Sequence, residues 1–495
     1  MSLYMLDFGK EERERLWFPF LIGIIAFIYF ASMAVKTYAW PFVSSDSADF
    51  LAASTIWMVP QTYGYPLYLL LGHFLNIFSG ELAAKMTIIL SSLPGAITIV
   101  FVYIIVKRLT NRVSIALVCS LVLLGAAVFL TESTVTKAYA LIAMFITIGY
   151  YCYLRNWKYR TVIFLGLGTD IHVIVIAIAF FWMIADRRWS MWLTKPLLVY
   201  IVVGILPYVM VPILMATVNP PFLAGSFSIS NVVHYWTSTS RTIIGMLSIY
   251  EFPKRLFEDG QIILMSFGLA LIPLFTNIYR IMVKHVAVLI GTVLFVLWYV
   301  LTCLDAMTWP YLAMAAPSIV ILVGLGLSKM HNWHCYVVAT SAIILIIVNV
   351  IFMNANTIAS TQKYSAEKYY QSLEALPNHS VVVTSPGPYS LGIFYAIANG
   401  KDLIPIIHTY TEHEALLGMV GYSDYLKGQD IVGEETIALV QSALSNHMLV
   451  YYIVSPGSPL ERCFTLANSK EFTVPNKIMG LTGLLPDDKI EITRQ

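Results

Sequence analysis

The sequence predicts a multi-pass α-helical membrane protein with a small α/β domain outside the membrane at its carboxyl end. Of its 495 residues, 58% are hydrophobic and 12% are charged, whereas an ordinary soluble domain is roughly 45–50% apolar and about 25% charged. Apolar runs of about 20 residues, enough to cross a bilayer, recur up to residue 353. This composition excludes a soluble enzyme, and a net charge of +2 gives no surplus for binding nucleic acid.

Eleven membrane helices are predicted. Nine are apolar runs, at 17–36, 82–106, 113–130, 139–154, 195–216, 260–279, 284–302, 309–328 and 333–353. The stretch 161–185 carries Asp170 and His172 at its middle, which is costly at membrane depth. We therefore interpret it as two short helices that meet in a polar turn.

The distribution of basic residues sets the predicted orientation. Loops assigned to the cytoplasm hold 15 Lys and Arg residues, against 6 in the opposite loops, as the positive-inside rule requires. The amino terminus is then cytoplasmic, and the transmembrane domain 1–353 has external loops at 37–81 and 217–258. The tail 354–495 is extracytoplasmic, and the scheme requires 161–185 to be a hairpin.

The tail alternates between strand-like and helix-like segments. β-Branched and aromatic residues predict strands at 380–384 and 449–454, each followed by Ser-Pro-Gly. Helical patterns lie near 363–376, 389–399 and 433–445. Strands separated by helices favour an α/β domain, and the Ser-Pro-Gly segments are better explained as turns than as phosphate loops.

Two carboxylates in the first external loop are the candidate catalytic groups. Asp46 and Asp49 are three residues apart and share a helical face. An ionised carboxylate at the start of an interfacial helix is suited to accept a proton from an incoming hydroxyl. The alternative is a capping pair. No external His, Asp and Glu cluster has metal-ligand spacing, so no cofactor is expected, and a divalent metal held by the two carboxylates is the less favoured alternative.

The same region resembles a known family. Asp46-Ser47-Ala48-Asp49-Phe50, followed by Gly64-Tyr65-Pro66-Leu67-Tyr68, is similar to the opening of the protein O-mannosyltransferase-like branch of the GT-C membrane glycosyltransferases. Further resemblances follow in chain order, at 137–141, at 166–172, at Asn219-Pro220-Pro221 with His234, and at 309–317.

The resemblance implies a fold of about eleven helices and an inverting hexosyltransferase. It implies that a sugar, with mannose favoured, moves from a polyprenyl- or dolichyl-phosphate carrier to a protein, lipid or glycan hydroxyl. Asp46 would be the general base and Asp49 its acidic neighbour. The expected location is the bilayer of a plasma membrane rather than of the endoplasmic reticulum.

A departing lipid phosphate also needs cations, because charge-assisted hydrogen bonds to phosphate are the strong ones. The candidate phosphate-binding residues are Lys137, His172, Arg241 and His234, and the candidate groove residues are Tyr63, Tyr65, Glu132 and Tyr139. Three of these cations also have a structural explanation. Lys137 could snorkel at a helix end, His172 and Asp170 could satisfy each other, and Arg241 could lie in a solvated loop.

Two other functions remain open at this point. A transporter or lipid flippase shares the many helices, although transporters commonly contain internal repeats and none is evident here. A non-catalytic assembly subunit of an envelope glycan pathway is the other alternative. The pair Asp46 and Asp49 discriminates, since an inactive relative could dispense with it and a transporter would place acids deeper in the membrane.

Overall fold

The computed structural model describes the greater part of the membrane helices and the core of the sheet. The described residues are 17–38, 50, 65–75, 86–186, 195–207, 210, 252–281, 286–302, 308–363, 373, 376–384, 401–407, 445–446, 448–454 and 489–493. Most of the predicted loops 37–81 and 217–258, and of the helices predicted within the tail, lies outside the described residues.

Within these residues the chain forms fourteen α-helices and four strands. The helices are α1 (Trp17–Tyr38), α2 (Pro66–Leu75), α3 (Ile89–Thr110), α4 (Val113–Gly125), α5 (Ala127–Thr134), α6 (Tyr139–Leu154), α7 (Lys158–Ile171), α8 (Ile174–Asp186), α9 (Lys195–Tyr200), α10 (Phe252–Phe267), α11 (Leu271–Ile281), α12 (Val286–Thr302), α13 (Thr308–Leu327) and α14 (Asn332–Lys363). A π-helical turn, Ile201–Ile205, continues α9.

Four segments of the described chain are long and apolar enough to cross a membrane individually: Ile89–Thr110, Leu256–Asn277, Pro310–Leu327 and Asn332–Ile351. The pair α4 and α5 makes a fifth if it is counted as one span. Several further apolar helices are shorter, among them α6 and α12. The chain is thus a multi-pass helical membrane protein, while the total of eleven spans remains a prediction.

The predicted span 113–130 is not one straight helix. The chain bends by 64° between α4 and α5, because Ala126 has extended backbone angles (φ −69°, ψ 114°). The Val128 N–H donates to Ser266 Oγ of α10 at 3.3 Å. A side chain from a distant helix therefore satisfies a donor at the first turn of α5, where no intrahelical acceptor exists.

The predicted pair of short helices within 161–185 is present as α7 and α8, joined at His172 and Val173. The ring of Trp157, just before α7, lies 6.0 Å from Tyr151 near the end of α6. Trp182, late in α8, lies 6.1 Å from Tyr153 at that same end. His172, at the turn, lies 6.2 Å from Tyr139 at the opposite end of α6. These contacts show that α7 and α8 run in opposite directions, as a hairpin does.

Close backbone packing holds the hairpin against α9. An added Cβ on Gly204 would lie 2.6 Å from the Gly166 carbonyl oxygen and 2.7 Å from its Cα. Only glycine lets the two backbones approach so closely. The core of the bundle is α6, in which every residue from Tyr139 to Tyr153 is buried, and α13, which is 94% buried over Pro310–Leu327. Asn332–Ile351 of α14 is 17% buried and lies at the periphery.

The tail contains a four-stranded sheet in the order β2-β1-β3-β4. Its strands are β1 (Ser380–Thr384), β2 (Leu403–Ile407), β3 (Val450–Val454) and β4 (Lys489–Thr493). β1 pairs in parallel with β2 and β3, and β3 pairs antiparallel with β4. Parallel neighbours need crossover connections, so this topology accords with the predicted α/β alternation. Both strands predicted from the sequence are present, whereas the domain boundary at 353/354 stays a prediction.

Candidate functional site

Five of the residues singled out in the sequence lie in the described chain and in neighbouring positions: Tyr65, Glu132, Lys137, Tyr139 and His172. They come from α5, α6, and the segments that precede α2, α6 and α8. Their contacts, given below, form two adjoining groups. One is a cluster of aromatic rings around His172, and the other is a pair of opposite charges.

The aromatic cluster consists of Tyr65, Tyr139, His172 and Tyr311, all buried. The His172 ring centroid lies 5.4 Å from that of Tyr65 and 5.7 Å from that of Tyr311, with both rings presented edge-on. The hydroxyl oxygens of Tyr65 and Tyr139 are 3.2 Å apart and share a hydrogen bond. These contacts join α6, α13 and the α7–α8 turn to the segment that directly precedes α2.

Tyr65 adopts an unusual backbone conformation. Its φ of 49° lies in the left-handed region, which is uncommon for a residue other than glycine, and Pro66 follows it. Strain of this kind persists where surrounding contacts determine the conformation. Here Phe50 packs edge-on against the Tyr65 ring at 4.7 Å, and the Tyr139 hydroxyl binds its tip. Tyr65 thus anchors the start of α2 in the bundle.

His172 is oriented by the backbone of the α7–α8 turn. Its Nδ1 accepts a hydrogen bond from the Ile174 N–H at 3.1 Å. A ring nitrogen that accepts a proton donor carries no proton itself, so the neutral ring holds its proton on Nε2. The structure therefore favours His172 as an N–H donor through Nε2 rather than as a full positive charge.

The expected mutual satisfaction of His172 and Asp170 is not what these atoms show. Ile174, not Asp170, supplies the hydrogen bond at His172 Nδ1. Asp170 is buried near the end of α7, and its Oδ1 has no hydrogen-bond partner among the described residues. A carboxylate near the carboxyl end of a helix is not stabilised by the helix dipole. Neither the dipole nor a hydrogen bond at Oδ1 therefore offsets the cost of burying Asp170.

The charged pair lies between α5 and α6. Lys137 Nζ is 3.9 Å from Glu132 Oε1, and the two side chains are 11% and 1% exposed. Ser91 of α3 holds the lysine backbone from both sides: its Oγ donates to the Lys137 carbonyl at 2.8 Å and accepts from the Lys137 N–H at 3.2 Å. The lysine is therefore fixed at its backbone as well as at its ammonium group, which accounts for its position better than snorkelling alone does.

Tyr68 of α2 lies close to the charged pair. Burial above all raises the pKa of the Tyr68 hydroxyl, and the negative charge of Glu132 raises it further. Phe50 packs on the Tyr68 ring at 5.0 Å, as it does on Tyr65. Phe50 thus contacts both Tyr65 of the aromatic cluster and Tyr68 near the charged pair, which places the two groups side by side.

Two comparisons with known proteins give matches, one over part of the chain and one over nearly all of it. The family model described as Protein O-mannosyl-transferase TMEM260 N-terminal domain matches residues 46–192. No curated protein matches the chain.

Two solved structures of ArnT from Cupriavidus metallidurans resemble the whole chain. The structure bound to undecaprenyl phosphate has a TM-score of 0.61 at 12% identity, covering 98% of each chain. The apo structure has a TM-score of 0.62 at 13% identity, covering 95% of this chain and 97% of that one. The chain therefore has the fold of these ArnT structures, and its residues 46–192 match the O-mannosyl-transferase domain model. Identities this low establish the fold alone, so the reaction is treated below.

The segment that matches the family model contains all five described site residues and both candidate catalytic aspartates. Asp46, Asp49, Tyr63, His234 and Arg241 themselves lie outside the described residues. Their assigned roles stay predictions, as do those of the five residues that the structure brings together.

Three residues of the site were not singled out from the sequence: Tyr311, Ser91 and Tyr68. Tyr311 lies within the resembling element 309–317 and Tyr68 ends Gly-Tyr-Pro-Leu-Tyr, so the resemblance could have indicated both. Ser91 has no such signal, because its role depends on a contact with a residue 46 positions away. Within the described ranges, no group of three or more His, Cys, Asp and Glu side chains could hold a metal ion. The expectation of a metal-free site stays a prediction.

Proposed function

We propose that this protein is an inverting glycosyltransferase that uses a lipid-phosphate sugar. The donor is a polyprenyl- or dolichyl-phosphate sugar, with mannose favoured, and the acceptor is a hydroxyl of a protein, lipid or glycan. Transfer takes place on the extracytoplasmic side, with the amino terminus in the cytoplasm and the plasma membrane as the location. The domain match to a protein O-mannosyl-transferase and the fold of an undecaprenyl-phosphate-binding ArnT support this reaction class.

The observation that carries the proposal is the fixed Lys137 ammonium beside the aromatic cluster. Lys137 is one of few cations held inside the described bundle, and its side chain retains 11% exposure. The cluster that adjoins it includes Tyr65, which lies in the same predicted loop, 37–81, as Asp46 and Asp49. A cation for the phosphate and a carboxylate for the acceptor are the two charges that this transfer requires.

The reaction follows from these roles. The acceptor oxygen attacks the anomeric carbon on the face opposite the phosphate, and the bond from that carbon to the phosphate oxygen breaks. Asp46 accepts the hydroxyl proton, and the lipid phosphate leaves with the bonding electrons. The transition state has oxocarbenium character, as in glycosidases, so fixed charges contribute more than covalent chemistry does. Lys137 stabilises the charge that develops on the phosphate, and His172 offers its Nε2 proton.

The test is transfer of labelled sugar by the purified full chain in lipid nanodiscs, with a panel of polyprenyl-phosphate sugars and acceptors. One donor is expected to support transfer, and Asp46→Asn is expected to lower the rate by at least about a hundredfold, the usual size of a general-base contribution. Glu258→Gln is the matched control, because Glu258 is an exposed carboxylate of α10. An unchanged rate in Asp46→Asn would remove Asp46 from the role of base. No transfer with any donor would favour the non-catalytic assembly subunit.

A further inference from the structure

The carboxylate of Glu132 lies beside the cation to which the proposed function assigns the lipid phosphate. Glu132 is 1% exposed and its Oε1 is 3.9 Å from Lys137 Nζ. The charges of such a pair sum to zero. The attraction of the Lys137 ammonium for an incoming anion is therefore opposed by the repulsion from the Glu132 carboxylate. An enzyme that needed only tight phosphate binding would gain nothing from this carboxylate.

The charge of the lipid phosphate changes during the proposed reaction. The donor is a phosphodiester with one negative charge. After the sugar is transferred, the carrier is a phosphomonoester whose second ionisation has a pKa of about 6, so it carries close to two negative charges at pH 7. A lysine without a counterion would therefore attract the product more strongly than the donor, and a site built on such a lysine would retain the product.

We propose that Glu132 sets the order of affinities at this site, so that the monoester product is released rather than retained. This inference rests on the proposed function. With Glu132 ionised, the donor meets a neutral pair, whereas the additional negative charge of the product meets a carboxylate held a few ångströms from the phosphate. Glu132 thereby weakens binding of the product more than binding of the donor.

The packing keeps the carboxylate in place. Ser91 fixes the backbone of Lys137, and the ion pair holds Glu132 towards it. The helix that carries Glu132 lies tightly on α3, since a Cβ added at Gly95 would be 2.5 Å from Ser133 Oγ. The Glu132 side chain is 1% exposed and its helix packs closely on α3, so its carboxylate lies beside the phosphate position at Lys137.

Equilibrium binding of two lipid probes tests this inference without requiring turnover. The probes are undecaprenyl phosphate and its methyl phosphodiester, measured at pH 7.5 on the full chain in nanodiscs. Glu132→Gln is expected to bind the monoester about tenfold more tightly than the wild type, the order of effect that removing one charge near a partly buried anion produces. The increase in affinity for the diester is expected to be severalfold smaller. Glu258→Gln, an exposed carboxylate on α10, is expected to change neither affinity.

The outcomes separate this inference from the proposed function. Unchanged or weaker monoester binding by Glu132→Gln, with wild-type binding of both probes intact, overturns the role of Glu132 and leaves the reaction class standing. If Glu132→Gln does not fold, the wild type decides: it should bind the monoester no more tightly than the diester, and a tenfold preference for the monoester overturns the inference. Failure of both probes to bind the wild type overturns the inference and the lipid-phosphate donor together.

Discussion

Replacing Lys137 by methionine is expected to destabilise the bundle, because the change leaves the Glu132 carboxylate buried beside an apolar side chain. Two unit charges 3.9 Å apart interact by about 4 kcal/mol at an effective dielectric constant near 20, and by about 1 kcal/mol in water. Glu132 is 1% exposed, so the first value is the closer one. Breaking a buried pair at one partner typically costs about 3–5 kcal/mol, and we expect a loss of about 3 kcal/mol in the free energy of unfolding.

The assay is unfolding in mixed micelles of dodecyl sulfate and a mild detergent, with Lys137→Met, Glu132→Gln and the double variant measured together. The double variant removes both charges and is expected to recover about 2 kcal/mol relative to the sum of the single changes, as coupled neighbours do. Lys158→Met is the matched control, because Lys158 is exposed at the start of α7 and should change stability by less than about 0.5 kcal/mol. Strict additivity of the single changes would refute a buried, coupled pair.

Two further pairs of substitutions test the packing of the hairpin and the role of its histidine. Gly204→Ala is expected to lower the free energy of unfolding by about 1–3 kcal/mol, because its Cβ would meet Gly166 backbone atoms at 2.6–2.7 Å. The control Gly260→Ala, whose Cβ would have nothing within 4 Å, should stabilise α10 slightly. Equal effects of the two substitutions on stability would contradict the close packing. His172→Gln should retain more transferase activity than His172→Asn, because Gln can present an N–H near the Nε2 position. His172→Asn should be the more stable of the two variants, because the Asn side chain can still accept the hydrogen bond from the Ile174 N–H. The reverse order in activity would show that the Nε2 proton is not used.

The hairpin of α7 and α8 was predictable, because Asp170 and His172 interrupt an apolar run and charged or polar groups rarely face lipid. The strands β1 and β3 were predictable from their β-branched and aromatic residues. These features depend on local sequence. The bend after α4 was not predictable, because 113–130 contains no proline and no charged residue. The donor exposed by the bend is satisfied by Ser266, a residue 138 positions away.

The site was predictable in its residues but not in its contacts. Resemblance and residue chemistry indicated Lys137, His172 and Tyr65, since polar groups within an apolar bundle are costly and often functional. The partners that define their roles come from distant parts of the chain: Tyr139 is 74 positions from Tyr65. Periodicity carries no information about such pairs. The protonation of His172 likewise depends on a backbone donor in the turn, which residue identity alone does not reveal.

The central claim is that the lipid phosphate binds at Lys137, between α3, α5 and α6. Photo-crosslinking of the full chain with an undecaprenyl phosphate that carries a diazirine next to the phosphate, followed by peptide mapping, tests it most directly. We expect labelling within 86–92 and 132–139, and loss of that labelling in the presence of excess unmodified undecaprenyl phosphate. Competable labelling confined to the peripheral helix α14, with none beside Lys137, would contradict the claim.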